Sequence, residues 1–274
     1  MGMRDTGRGV GYTKHYDETL NAGIYVTVPN LGFLYETSTT QSEEWAVGDK
    51  VVLGDGREFR YAKSASALNT SEASHFTGTG VIAYTAASTE AAIGDTSCIV
   101  PAATHAAAIA VDELRGGFLT IFGSVADGAD MMFRGIVGND YSAINAAVTI
   151  YVDAPFDVAI DASSAYEVWA NPWSALEHTT GSPSNGKAGV PVAYVSATAT
   201  YHWTQTAGPL FCNPQSTVIA NEGLGVNWRA DGSLDAVATA LTATVPDAST
   251  TQYAGFRMLG DYDNNGPIIW FRTC

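Results

Sequence analysis

The stretch from Gly116 to Pro209 limits the possible folds of this chain more than any other part of it. Short segments rich in Val, Ile, Thr, Tyr and Trp alternate there with turn residues, and the stretch closes on YHWTQTAGP at 201–209. Short β-prone segments bounded by turn residues are typical of all-β domains. Acids, bases and nucleophiles are not clustered in this stretch, so it favours packing and surface over chemistry.

Strand-like segments of the same kind occur along most of the chain. They lie at 24–28, 33–35, 80–84, 96–100, 117–122, 131–136, 148–152 and 190–195. Helix patterns are sparse and predict only one or two turns at 156–160 and 174–178. The predicted fold class is therefore mainly β, with a β-barrel or β-sandwich core, short helical turns, an extended N-terminal arm and a smaller C-terminal β module.

The clearest hairpin pattern lies near the N-terminal end. Segments 50–53 and 57–61 flank Gly54-Asp55-Gly56, whose residues tolerate the positive φ of a tight hairpin loop. Residues 64–79, rich in Ser, Ala, Thr and Gly, are predicted to form a linker. The predicted regions are an arm at 1–22, a β-hairpin region at 23–78, a central β-barrel or sandwich at 79–215 and a small β module at 216–274.

A second turn pattern, DYDNNG at 261–266, also matches the first half of a calcium-binding loop. Such a loop needs oxygen ligands at alternate positions and a glycine at the bend. Arg272 stands where the loop requires a bidentate Glu, so the pattern favours a hairpin turn. The oxygen-bearing residues that remain as metal candidates are Asp261, Asp263 and Asn265. Otherwise no metal or cofactor is expected.

The net charge of −15 argues against nucleic-acid binding, which requires clustered Lys and Arg. No apolar run is long enough to span a membrane, and 1–12 does not resemble a signal peptide, so we expect synthesis in a host cytoplasm. Cys98, Cys212 and Cys274 form neither a zinc pattern nor a disulfide framework, and are predicted to be two buried thiols and one terminal thiol.

Catalytic patterns are not evident. The five histidines have no partner at metal-ligand spacing, and His202 is predicted to be a partly exposed sheet residue rather than a base. The adjacent acids at 43–44 and 112–113 would point to opposite faces of a strand, so neither pair forms a glycosidase dyad. The six tryptophans favour core and interface positions over a carbohydrate platform. We therefore expect no catalytic residues and no enzyme activity.

Several segments carry a resemblance to a known family. They are AVGDK at 46–50, DGREFRYA at 55–62, GGFLTI at 116–121, FRGIVGN at 133–139, NPW at 171–173 and WTQTAGP at 203–209. Together they resemble tailed-bacteriophage head proteins of the capsid decoration, or cement, type. The resemblance covers about 45–212 and brings no active-site residues. It implies that 135–139 and 205–209 are scaffold positions, with turns and a polar side chain that satisfies backbone groups.

The resemblance also implies a function. A decoration protein sits on the outside of an icosahedral capsid and clamps neighbouring capsomers, often as a homotrimer, with the major capsid protein as its partner. The hairpin region at 23–78 would then face the capsid, because residues 1–63 net only −2 while the rest of the chain nets −13. The predicted capsid-contact residues are six of the seven basic residues of 1–63, namely Arg4, Arg8, Lys14, Arg57, Arg60 and Lys63.

Two other classes of function remain open. A trimeric tail or fibre adhesin that binds a host surface glycan would also be rich in β structure and glycine, although it would more often show repeats or a stalk. A glycan-active enzyme would require two carboxylates brought together from distant strands. Location in purified particles separates the three classes.

Overall fold

The computed structural model describes residues 15–17, 22–24, 31–77, 80–86, 90–101, 105, 107–123, 131–178, 186–213, 225–236, 252–259 and 268–272. The chain divides into two compact units. The larger unit combines Met1–Thr77 with Trp173–Cys274, and the smaller unit is Gly78–Pro172. Strands dominate both, which confirms the predicted mainly β class with few helical turns.

Eighteen strands and two 3-10 turns make up the described secondary structure. The turns are Gly32–Tyr35 and Pro172–Ser174. The strands are β1 His15–Asp17, β2 Ala22–Ile24, β3 Lys50–Val52, β4 Glu58–Lys63, β5 Ser74–Phe76, β6 Gly80–Ala86, β7 Ser97–Val100, β8 Phe118–Phe122, β9 Met132–Asn139, β10 Val148–Val152, β11 Ala165–Trp169, β12 Leu176–Glu177, β13 Lys187–Pro191, β14 Tyr201–Phe211, β15 Gly225–Trp228, β16 Leu234–Ala236, β17 Gln252–Leu259 and β18 Ile268–Arg272.

The smaller unit is one antiparallel sheet in the order β6-β11-β8-β9-β10-β7. Alternation along its strands buries one face around Leu119, Ile121, Ile150 and Val168. The sequence analysis missed β11, whose apolar alternation is only five residues long and includes Glu167. Strand β11 pairs with β8 on one side and β6 on the other. These pairings between distant segments stabilise the strand, although its local sequence pattern is too short to predict it.

The larger unit depends on β14. Its N-terminal part pairs with β4 and β13, and its C-terminal part pairs with β18, which pairs in turn with β17. Residues predicted to belong to separate regions at 23–78, 79–215 and 216–274 therefore contribute strands to one sheet. Backbone pairing between distant segments causes this grouping, and such pairing leaves no local signal in the sequence.

The predicted hairpin at 50–61 is present. Strands β3 and β4 pair antiparallel with Val51 opposite Phe59, and Gly56 adopts φ +87° in the loop. The Leu53 amide donates to the carbonyl of Arg57, and the Gly56 amide donates to the carbonyl of Leu53. A three-residue loop that ends in a left-handed glycine is a common hairpin geometry. The local residues alone therefore account for this turn.

Other predictions need correction. No helical turn forms at 156–160, because Phe156 is a core residue and Ile160 bridges to Ala91. At 174–178 the 3-10 turn ends at Ser174, and β12 follows. The strand predicted at 190–195 lies at β13. Strand β1 lies inside the predicted arm and pairs with β2, and the rest of 1–22 except Ala22 lies outside the described residues.

A substitution at Gly255 can test the close approach of β17 to β18. Its φ is +142°, and a Cβ there would lie 2.0 Å from the carbonyl oxygen of Trp270. We expect Gly255→Ala to lower the free energy of unfolding by about 3 kcal/mol, measured by urea denaturation. Gly54→Ala is the matched control, because no atom lies within 4 Å of its Cβ position. Equal effects of the two variants would contradict this account of β17 and β18.

Candidate functional site

One face of the larger sheet carries an exposed apolar surface. It consists of Pro209, Phe211, Phe256, Met258, Ile268 and Trp270, on β14, β17 and β18, and we call it the exposed face. Register places Phe256 opposite Trp270 and Trp270 opposite Pro209, while Ile268 lies opposite Phe211. The exposed face is therefore continuous across three neighbouring strands.

The opposite side of these strands is core. Ile269 and Phe271 alternate with the exposed residues of β18 and are fully buried. The Phe271 ring lies edge-on to Trp228, with ring centroids 5.4 Å apart. Because the apolar residues on both sides of β18 cannot all be covered by this core, the pattern leaves a large hydrophobic surface in contact with solvent. Contiguous surfaces of this kind usually mark interaction sites.

Acidic side chains are absent from the three strands that form the exposed face. Strands β14, β17 and β18 contain no Asp or Glu, although the chain has 28 acidic residues. Arg272 follows the alternation of β18 and stands beside Trp270 with its side chain exposed. The surface is therefore apolar at its centre and carries a cation at one end.

The β3–β4 hairpin tip lies at the rim of the exposed face. A Cβ on Gly56 would lie 3.0 Å from Cη2 of Trp270, so the loop and the indole ring are in close contact. Arg57 Nε pairs with Asp55 Oδ2 at 2.7 Å, and Lys50 Nζ pairs with Glu58 Oε2 at 2.6 Å. A rim of polar and charged groups around an apolar centre is the usual anatomy of a protein–protein interface.

The structure separates the other predicted contact residues. Arg60 donates from Nη1 to the carbonyl of Gly48 at 2.6 Å and lies over the Trp173 ring, and burial lowers its pKa. Lys63 lies over the Tyr201 ring, and its position three residues along β4 from Arg60 turns it to the opposite face. Arg57, Arg60 and Lys63 therefore do not form one basic cluster. The remaining predicted residues lie outside the described residues: Arg4, Arg8, Lys14, Asp261, Asp263 and Asn265.

Polar side chains in the resembling segments bind backbone groups. Gln205 Nε2 donates to the carbonyls of Ala207 and Pro209 at 3.1 and 2.8 Å. Asn139 accepts from the Leu114 amide and donates to the carbonyl of Ala110, both at 2.8 Å. These side chains satisfy buried backbone groups at turns and a strand irregularity, which is the scaffold role expected for them.

A group of titratable residues that sequence reasoning missed lies where β5, β12 and β13 meet. His75 Nε2 is 3.0 Å from Glu177 Oε1, and His178 Nε2 is 2.9 Å from Glu72 Oε2. Lys187 is buried and donates from Nζ to the carbonyl of Ala230 at 2.6 Å. These residues are widely separated in the sequence, so no spacing motif announces them.

The contacts of this group join β5, β12 and β13. Each histidine is matched with a carboxylate, and within the described ranges no three His, Cys, Asp or Glu residues are grouped so that they could hold a metal ion. Burial lowers the pKa of Lys187 to about 8. The group therefore makes the stability of the fold depend on pH.

The two described cysteines are free and buried, as predicted. Burial raises the pKa of the Cys98 thiol to about 12 and also raises that of Cys212. Thiols with raised pKa values react slowly, since the thiolate is the nucleophile.

Among the described residues, no helix has the length and apolar character needed to cross a membrane.

Comparisons of the chain with protein-family models, with curated proteins and with solved structures found no match.

The pH dependence of Lys187 is testable. Between pH 8 and about 10.5 the unfolded chain keeps this proton while the folded chain has lost it, so the unfolding free energy should rise with pH. We expect this rise to be absent from Lys187→Met, measured by urea denaturation from pH 7 to 10. Lys63→Met is the control, because that lysine is not in the buried set, and it should follow the parent. A Lys187→Met curve parallel to the parent would contradict the assignment.

Proposed function

We propose that this protein is a non-enzymatic virion structural protein that binds the outer surface of a tailed-bacteriophage capsid. It stabilises the shell by clamping neighbouring capsomers, and it acts as a homotrimer. Its partner on the shell is the major capsid protein. The proposal begins from the resemblance of 45–212 to capsid decoration proteins.

The proposal is supported by the hydrogen bonds that polar side chains in those segments make to backbone groups. Gln205 and Asn139 are committed to backbone hydrogen bonds, and Asn171 donates to the carbonyl of Arg115 at 3.2 Å. An enzyme of this size would need some polar side chains of its characteristic segments to face a substrate. Because these side chains stabilise the fold instead, they support a structural role for the protein.

The exposed face and its rim support the same conclusion. A structural protein of an assembly must bury apolar area against its neighbours, and this chain presents such area on a sheet held from below by core packing. Binding through a rigid surface loses little conformational entropy, which favours stable attachment. Attachment at several points then adds further stability.

Electron microscopy of purified particles tests the location. We expect density for this protein on the outer surface of the capsid at regular positions. Density at the tail would instead favour the adhesin, and absence from particles would contradict both virion functions. Specific labelling of the protein on intact particles provides an independent measurement of the same positions.

The trimer is tested in solution. Multi-angle light scattering should give about 86 kDa, because a closed trimer contains three chains of 28.7 kDa. A single species of 28.7 kDa at micromolar concentration would contradict self-association.

The predicted capsid contact is tested by binding to undecorated heads. Deletion of 1–20 and, separately, Arg57→Ala should each lower occupancy, because rim cations attract an oppositely charged partner and salt weakens that attraction. Arg115→Ala is the control, since it removes an exposed arginine from the smaller unit. Parental occupancy in both test variants would place the docking surface elsewhere.

A further inference from the structure

We infer that the exposed face is the surface through which copies of this chain bind one another. The inference rests on the self-association contained in the proposed function, and it does not require capsid binding. It assigns to a particular set of residues an association that the sequence predicts only in general terms.

The exposed face has enough area for the centre of an interface. Phe211, Phe256, Met258, Ile268 and Trp270 are 36–53% exposed, which makes a patch on the order of a few hundred Å², the size at which apolar patches are often functional. A stable interface covers about 800 Å² on each partner, with an apolar centre and a polar rim. The exposed face supplies such a centre, and the ion pair of Arg57 with Asp55 at the hairpin tip, which contacts Trp270, extends it.

Charge indicates which kind of partner covers the exposed face. Two chains of net charge −15 repel each other over most of their surfaces. Strands β14, β17 and β18 carry no carboxylate, so copies that meet through them avoid placing like charges in contact. Arg272 and Arg57 can instead meet carboxylates at the rim of an acidic copy. A basic partner would require an acidic docking face, and the strands of the exposed face carry no acidic residue.

A second exposed aromatic surface differs in how its flanking carboxylates are bound. On the smaller unit, Phe133 and Tyr151 are also exposed. There the Tyr151 hydroxyl donates to Asp140 at 3.2 Å, and Asp153 accepts from the Gly135 amide at 3.0 Å. These donors are uncharged and leave the carboxylates negative, whereas Asp55 at the rim of the exposed face is ion-paired with Arg57. Like-charge repulsion makes this surface less suited to meet its equivalent on another copy.

In a closed trimer the exposed face would be turned toward the threefold axis and covered by the other two copies. The core beneath β18 holds Trp270 and Ile268 in place, because Ile269 and Phe271 alternate with them and are fully buried. Association would therefore bury the apolar side chains without rearranging the sheet. This geometry predicts that charge introduced at the centre of the exposed face dissociates the assembly.

The test uses the full chain and single substitutions. Phe256→Asp and Phe211→Asp each place a carboxylate at a position that is 45% and 53% exposed, respectively. Phe133→Asp is the matched control, with the same chemical change at a residue that is 60% exposed in the smaller unit. We expect both face variants to fall from about 86 kDa to the monomer mass of 28.7 kDa. Phe133→Asp should retain the parental mass.

Circular dichroism and a thermal melt establish that the variants fold. Met258→Lys is a second, milder substitution, because lysine keeps an unbranched side chain at an exposed site, and it should raise the concentration needed for assembly at least tenfold. If the parent protein is a dimer and Phe256→Asp is a monomer, the result would support the exposed face as the self-association surface and contradict only the trimer. Parental mass in all face variants, or equal dissociation in Phe133→Asp, would overturn the inference.

Binding of heads separates this inference from the proposed function. Face variants that are monomeric and still occupy heads, at reduced levels, would support both. A parent that assembles through the exposed face but does not bind heads would refute capsid decoration and leave the self-association surface intact. A monomeric parent overturns the surface assignment whatever the result with heads.

Discussion

Strand β14 makes backbone hydrogen bonds along both of its edges, and the larger unit depends on this strand. Its residues pair with β4, β13 and β18, so three stretches of chain that lie far apart in sequence become neighbours. A buried backbone must have its amide and carbonyl groups paired, which makes a central strand costly to displace. Glycines allow this proximity, since a Cβ on Gly189 would lie 2.3 Å from the carbonyl oxygen of Gln205.

Burial changes along β14 and thereby creates the exposed face. From His202 to Gly208 every residue is buried, Pro209 and Leu210 are half-buried, and Phe211 is exposed. The prediction that His202 is partly exposed is wrong, because this residue lies in the fully buried part of the strand, where desolvation lowers its pKa to about 4. Gln205 donates to the carbonyls near the point where the pairing register with β4 shifts. The continuous register between β14 and β18 places Pro209 opposite Trp270 and Phe211 opposite Ile268.

The proposed function and the assigned surface follow from this arrangement in different ways. Capsid decoration relies on the resemblance and on the scaffold role of Gln205 and Asn139. The self-association surface relies on exposure, register and the absence of carboxylates from three described strands. The hairpin tip connects them, because Arg57 was predicted as a capsid contact and lies at the rim of the exposed face.

The sequence by itself determined the mainly β class and the hairpin at 50–61, because strand propensity and turn chemistry act between near neighbours. It also correctly predicted that Cys98 and Cys212 are buried. Only the tertiary structure decided that Arg60 lies over Trp173 while Lys63 turns to the other face, and that His75 meets Glu177. A period of two residues shows that a strand has two faces, but the partner strands decide which face is covered. Those partners are chosen by packing between distant segments, and no local pattern records that choice.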